Sequence, residues 1–294
     1  MSHSIPTPLA PAPALAPAKP TLEVENLHVR FRQDERETHA VRGVSFSLGR
    51  EKLAIVGESG SGKSTVGRAL LGLLPRSARI EADVLRLDGQ DLRGASEATL
   101  RELRGRRISM IMQDPKYALN PVMRVGEQIA EACLTHHRVS RAEAWERTLA
   151  MLASVRIQEP ARVARLYPHE VSGGMGQRVM IAMMLITEPE LLIADEPTSA
   201  LDVSVRQQVL NILDEQVRQR GLGLLFISHD LPLVRRFCDR VLVMYAGRVV
   251  ESLPASQLAQ AQHPYTQGLM AALPRLHQPC DRLPVLQRDP AWAL

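Results

Sequence analysis

The loop Gly57-Glu58-Ser59-Gly60-Ser61-Gly62-Lys63-Ser64 gathers three glycines, one lysine and three hydroxyls within eight positions. The spacing reads G-x-x-x-x-G-K-[ST], a pattern that cradles phosphate groups when a strand precedes it and a helix follows. Glycine lets backbone N–H groups converge on phosphate oxygens, and a helix N-terminus adds a favourable potential for the anion. Lys63 can neutralise β and γ phosphates, the Ser64 hydroxyl can coordinate Mg²⁺, and Thr65 completes the set. Farther on, Leu191-Leu192-Ile193-Ala194-Asp195-Glu196 is an apolar run ending in two carboxylates. If the two strands are neighbours in a parallel sheet, Asp195 reaches the metal shell and Glu196 can act as general base on a water attacking the γ-phosphate. The chemistry expected is transfer of a γ-phosphoryl group to water.

Such groups need rigid elements behind them. Lys52 to Val56 is a short apolar strand running into Gly57, and Lys63 to Leu74 is helical in composition with Pro75 as its stop. Leu22 to Glu25 and Val41 to Leu48 alternate as half-buried strands and predict an antiparallel opening layer. After a strand at Ile108 to Met112 the chain turns helical and more polar until the strand at Leu191 to Ala194. In that stretch Ser140-Arg141-Ala142-Glu143 has capping-box form, with Trp145, Leu149 and Leu152 at helical spacing, so Trp145 reads as core. A helix from Val203 to Arg220 stopped by Gly221, a strand from Leu224 to Ser228, a helix from Leu231 and a strand from Val241 to Tyr245 follow. The alternation implies a mostly parallel sheet with helices on its faces. From Glu251 the pattern loosens and prolines accumulate, which predicts a C-terminal extension over 251–294.

A chain of 294 residues, 45% hydrophobic, can bury one large core or two modest ones, and only 3% aromatics makes that interior aliphatic. The net charge of +4 arises from 36 basic residues interspersed with 32 acids, a solvated surface rather than a nucleic-acid groove. No run approaches the roughly 18 to 20 apolar residues of a membrane span. Residues 1–20 are Pro/Ala-rich without a basic n-region, so a disordered leader is expected rather than a signal peptide. Cys133, Cys238 and Cys280 are widely separated, which argues against a disulfide framework and for a reducing cytoplasm. His136-His137 reads as a solvated pair, and Met175, Met180, Met183 and Met184 as helix packing.

Many families share the phosphate loop; Val171-Ser172-Gly173-Gly174-Met175-Gly176-Gln177 narrows the choice. It resembles the ABC-ATPase signature, whose core is S-G-G-x-x-Q, and Ser172 stands 23 positions before Asp195, as that family places it. Physically, Ser172 is a good N-cap and Gly173-Gly174 permits close backbone approach to an anion at a helix start. The resemblance implies that Ser172, Gly173, Gly174 and Gln177 of one subunit complete the phosphate loop of another, with ATP at the dimer interface. It also implies roles for Gln113 as the Q-loop glutamine that senses γ-phosphate and metal, and for His229 as the switch histidine. Ser199-Ala200-Leu201-Asp202 is similar to the interface-lining D-loop, and Phe31 is similar in placement to the aromatic that stacks on adenine. The implied catalytic set is Glu196, His229 and Gln113, and the implied Mg²⁺ set is Ser64, Gln113 and Asp195.

The resemblance covers roughly residues 21 to 275. Gln113-Asp114-Pro115, Leu119-Asn120-Pro121, Tyr167-Pro168-His169-Glu170 and His263-Pro264-Tyr265-Thr266 look like the ATPases of oligopeptide, dipeptide and nickel importers. Position 176 is Gly where that group usually has Arg, and Cys280 alone follows the His-Pro-Tyr motif where many relatives carry four cysteines. An iron–sulfur cluster needs about four thiolates, so none is expected. The implied fold is an α/β ABC ATPase core over 21–250, a mostly parallel sheet flanked by helices, with an antiparallel β layer and an inserted helical subdomain near 114–187. The implied function is ATP hydrolysis powering solute import. Implied partners are a second ATPase subunit, two transmembrane permease subunits and, indirectly, an extracytoplasmic solute-binding protein, at the cytoplasmic face of a bacterial inner membrane; nucleic acid is not expected. DNA-repair and translation ABC ATPases are disfavoured because this chain has no long coiled coil, zinc element or second cassette between its motifs. A nonhydrolytic regulatory module is disfavoured by the presence of both Glu196 and His229.

Overall fold

The computed structural model describes residues 21–33, 36–199, 201–273 and 289–293. The leader, Ala200 and Cys280 lie outside the described residues. Strands β1 (Leu22–Gln33) and β2 (Arg36–Leu48) form a long antiparallel hairpin, followed by β3 (Lys52–Val56) and helix α1 (Lys63–Leu70). Short strands β4 (Ala78–Glu81), β5 (Val84–Leu87) and β6 (Gln90–Asp91) extend the hairpin into an antiparallel sheet. Helix α2 (Glu97–Leu103) leads to β7 (Ile108–Ile111). Helices α3 (Pro115–Ala118), α4 (Val125–His136), α5 (Arg141–Ser154), α6 (Pro160–Val163) and α7 (Gly173–Leu185) come next. The chain then alternates through β8 (Leu191–Asp195), α8 (Val203–Arg220), β9 (Gly223–Ser228), α9 (Leu231–Phe237), β10 (Arg240–Tyr245), β11 (Arg248–Pro254) and α10 (Pro264–Ala271).

The second sheet runs β11-β10-β3-β9-β8-β7 and is parallel except at β11. Its central strands read as nearly unbroken aliphatic runs because both faces are covered. Leu53 and Ile55 pack against the antiparallel layer with Leu27, Val44 and Leu87. Ala54 and Val56 face the other way, into a cluster with Met180, Ile212 and Val241. Trp145, Met175, Met183 and Met184 also pack against that second cluster.

Three differences from the sequence expectations have local causes. Helix α1 ends at Leu70 rather than Leu74, because Gly72 adopts φ 60° and the N–H groups of Gly72 and Leu73 fold back onto Ala69 O and Arg68 O. The main sheet continues past residue 250. A tight turn at Ala246 and Gly247, both at positive φ, folds β11 back along β10 to Pro254, and as a half-exposed edge strand it carries Arg248 and Glu251 that dilute its alternation. His136 and His137 are half-buried rather than solvated, the His136 ring lying over Gly105.

Candidate active site

Register decides what meets what. Val56 pairs with Ser228 and Asp195 with Ile227, so β3, β8 and β9 end together and release Gly57, Glu196 and His229 along one edge of the sheet. In the phosphate loop Gly57, Gly60 and Gly62 take φ of 150°, 82° and 100°, a region costly for any residue with a Cβ. Two of them are also pressed by backbone: a Cβ on Gly57 would lie 2.2 Å from Met244 O, and one on Gly62 2.5 Å from Ala40 O.

Lys63 is 6% exposed, and its Nζ donates to Gly57 O at 2.8 Å and Glu58 O at 2.7 Å. Burial pulls its pKa below the usual lysine range, while the nearby charges of Glu196, Asp195 and Glu58 pull the other way. An ammonium held in a buried loop by neutral carbonyls is placed to exchange them for phosphate oxygens. Beside it, Ser64 Oγ donates to Asp195 Oδ1 at 2.8 Å. Burial raises the Asp195 pKa, and the Ser64 hydrogen bond opposes that rise. A hydroxyl and a carboxylate side by side suit a hard cation such as Mg²⁺. Among the described residues no three His, Cys, Asp or Glu side chains cluster into a metal site, so phosphate oxygens and water would complete such a shell.

Glu196 follows β8 in a left-handed conformation, φ 47°, with its N–H donating to Ile227 O at 2.9 Å. A non-glycine residue there is strained by on the order of 1 kcal/mol or more, and that turn aims its carboxylate out of the sheet edge. Oε1 lies 3.0 Å from His229 Nδ1, and Gln113 Nε2 donates to Oε2 at 3.3 Å. The three residues expected to be catalytic are therefore gathered around one carboxylate.

The remaining expected residues separate into distinct environments. Ser172 caps α7, its Oγ accepting from Met175 N–H at 3.3 Å. Gly173 faces open space, whereas a Cβ on Gly174 would lie 2.6 Å from Val205 Cγ1. Gly174 thus lets α7 pack against α8, and Gly173 leaves the start of the helix open. Gly174→Ala is expected to lower stability by about 1–2 kcal/mol through that clash, with Val205→Ala recovering part of it; urea midpoints of the single and double variants measure this. Gln177 is 1% exposed, and its Nε2 has no hydrogen-bond partner among the described residues. It lines a cavity of about 260 Å³ with Gln113, Pro115, Ser172, Pro197 and Leu201. A Cβ on Gly176 would meet Pro115 at an ordinary 3.8 Å, so the helix has room for a larger residue there. Asp202 caps α8, accepting from Val205 N–H at 2.9 Å and Ser204 Oγ at 2.8 Å, and these bonds hold its carboxyl below the usual range. Phe31 is half-buried against the antiparallel layer's core and pairs with Thr38, two positions from Ala40, whose carbonyl abuts Gly62.

A lysine-bearing phosphate loop facing a strand-end carboxylate defines a P-loop nucleotide hydrolase. The chain belongs to the ABC transporter family, whose model matches residues 41–199. It is 47% identical over 262 residues to the oligopeptide transport ATP-binding protein OppD of Salmonella typhimurium, covering 88% of this chain and 78% of that one. It is 46% identical to the dipeptide transport ATP-binding protein DppD of Bacillus subtilis, covering 87% and 77%. The glutathione import ATP-binding protein GsiA of Pectobacterium atrosepticum is 49% identical over 91% of this chain, which spans 44% of that longer relative. Among solved structures, the dimeric ATP-binding cassette MJ0796 bound to ADP and Pi superposes with TM-score 0.71 at 25% identity, over 80% of this chain and 98% of that one. The cbiO1 subunit from Clostridium perfringens gives TM-score 0.68 at 28% identity, over 82% and 91%. No helix among the described residues is long and apolar enough to cross a membrane.

Proposed function

We propose that this cassette powers the import of small peptides through a separate membrane permease. The observation that carries the reading is identity of 46–49%, over 87–91% of this chain, to ATP-binding proteins named for oligopeptide, dipeptide and glutathione transport. Glutathione is itself a tripeptide, so the three names describe one class of cargo.

In the reaction, Lys63 leaves the carbonyls of Gly57 and Glu58 for the β- and γ-phosphate oxygens of ATP. Water attacks the γ-phosphorus, the bond to the β,γ-bridging oxygen breaks, and the water proton passes to Glu196, whose carboxylate is oriented by His229 Nδ1 and Gln113 Nε2. Ser64 and Asp195, with Gln113, would hold Mg²⁺, which supplies charge neutralisation at the phosphate oxygens. Ser172 and Gly173, exposed at the start of α7, would complete the phosphate loop of a second cassette, identical or not, with Asp202 of the D-loop at the interface and Phe31 stacking on the adenine.

The inserted helices over 114–187 would meet one of two permease subunits at the cytoplasmic face of a bacterial inner membrane, and an extracytoplasmic solute-binding protein would act through that permease. Reconstitution of the cassette with its permeases and binding protein in proteoliposomes tests this. Labelled di- to pentapeptides should accumulate in an ATP-dependent way and stimulate hydrolysis several-fold. Stimulation by nickel or a metal chelate with no response to peptides would overturn the cargo.

A further inference from the structure

The C-terminal segment that follows the main sheet reaches the phosphate loop from behind. His263 caps α10, its Nδ1 accepting from Tyr265 N–H at 3.2 Å, and Tyr265 is fully buried. The Tyr265 ring packs on Tyr245 at 4.6 Å between centroids and on Trp292 at 6.0 Å, so strand β10 and the distal tail both grip it. Its hydroxyl accepts a hydrogen bond from the Glu58 N–H at 3.1 Å, across 207 positions of sequence.

The Gly57–Glu58 peptide is held from two sides. A trans peptide points its C=O and N–H in opposite directions. Here the Gly57 carbonyl accepts from Lys63 on the phosphate side, and the Glu58 N–H donates to Tyr265 on the far side. The hydroxyl thereby keeps this carbonyl turned toward the lysine at a glycine with φ 150°, where the backbone is free to rotate. When phosphate draws Lys63 off the carbonyls, the grip from Tyr265 persists.

We infer that Tyr265 is a positioning residue for nucleotide binding, through which docking of the C-terminal extension sets the conformation of the phosphate loop and its affinity for ATP. This rests on the loop being the ATP site, which binding of MgATP by the wild-type chain tests separately. Tyr265→Phe in the full chain keeps the ring packing and removes the acceptor. The KM and Kd for MgATP should rise about three- to tenfold, because the released loop spends only a fraction of its time in the binding conformation, with kcat within about twofold and a thermal midpoint lowered by no more than a few degrees. Thr266→Val is the control: Thr266 is the next residue, fully buried, with an Oγ1 that has no partner among the described residues, and deleting that hydroxyl should leave KM unmoved. An unchanged KM in Tyr265→Phe, or an equal rise in Thr266→Val, overturns the assignment. Amide exchange of the wild-type chain is an independent check that needs no variant. The Glu58 N–H should exchange far more slowly than that of Gly60, and equal rates would overturn the role.

Discussion

Glu196→Gln is expected to lower ATP hydrolysis by about a hundredfold or more while leaving MgATP binding intact. The amide has the carboxylate's shape and can still bond to His229 and Gln113, which hold the two oxygens at 3.0 and 3.3 Å, but it cannot take the proton of the attacking water. Nucleotide that binds and is not cleaved should accumulate between two cassettes, so the variant should show an ATP-dependent dimer by light scattering. Adding Ser172→Arg places a long cation at the exposed cap of α7 and should abolish that dimer. Where the isolated chain stays monomeric because its natural partner is a different cassette, the assembled transporter is the place to read both effects. Wild-type turnover by Glu196→Gln in that assembly would remove the base from its role. A dimer indifferent to ATP and to Ser172→Arg would remove the shared site.

Lys63→Ala should abolish productive nucleotide binding, weakening MgATP affinity about a hundredfold or more. The loop loses its one internal cation, and each hydrogen bond from a charged donor contributes about 1.5–3 kcal/mol. The same substitution separates loss of function from loss of fold. Burial depresses the Lys63 pKa, so the charged ammonium is disfavoured in the empty folded chain relative to the unfolded one. That desolvation penalty offsets part of the loss of the two bonds to Gly57 O and Glu58 O, so the nucleotide-free variant should remain folded with a thermal midpoint lowered by only a few degrees, while calorimetric titration with MgATP goes flat. Retained affinity and turnover would refute the assignment of the loop.

The second of these results depends on parts that are adjacent in sequence. The strand, glycine loop and helix around Lys63 lie within twenty residues, and their spacing states the phosphate chemistry directly. The same holds for Gly221, which ends α8 in the left-handed conformation its position suggested, and for Ser140, which caps α5. Asp202 shows the limit of such reading. Its place in a D-loop-like segment suggested an interface role, and the structure adds a local one as the cap of α8.

What tertiary structure decided lies where distant segments meet. The convergence of Gln113, Glu196 and His229 requires β7, β8 and β9 to be neighbours in matched register, which no local pattern specifies. Gly174 is small because Val205 of another helix occupies the space, and Gly57 because Met244 O does. Strands β4, β6 and β11 escaped sequence reading because short or edge strands are half solvated and their apolar alternation is weak, and β5 because four residues are too few to establish a period. The bond from Glu58 to Tyr265 joins positions 207 apart, between two segments whose own propensities say nothing about each other. Residue type and short spacing therefore determined which chemistry this chain carries. Which residues share the site was decided by strand register and close packing, because those interactions depend on where the folded backbone brings remote residues and not on their local propensities.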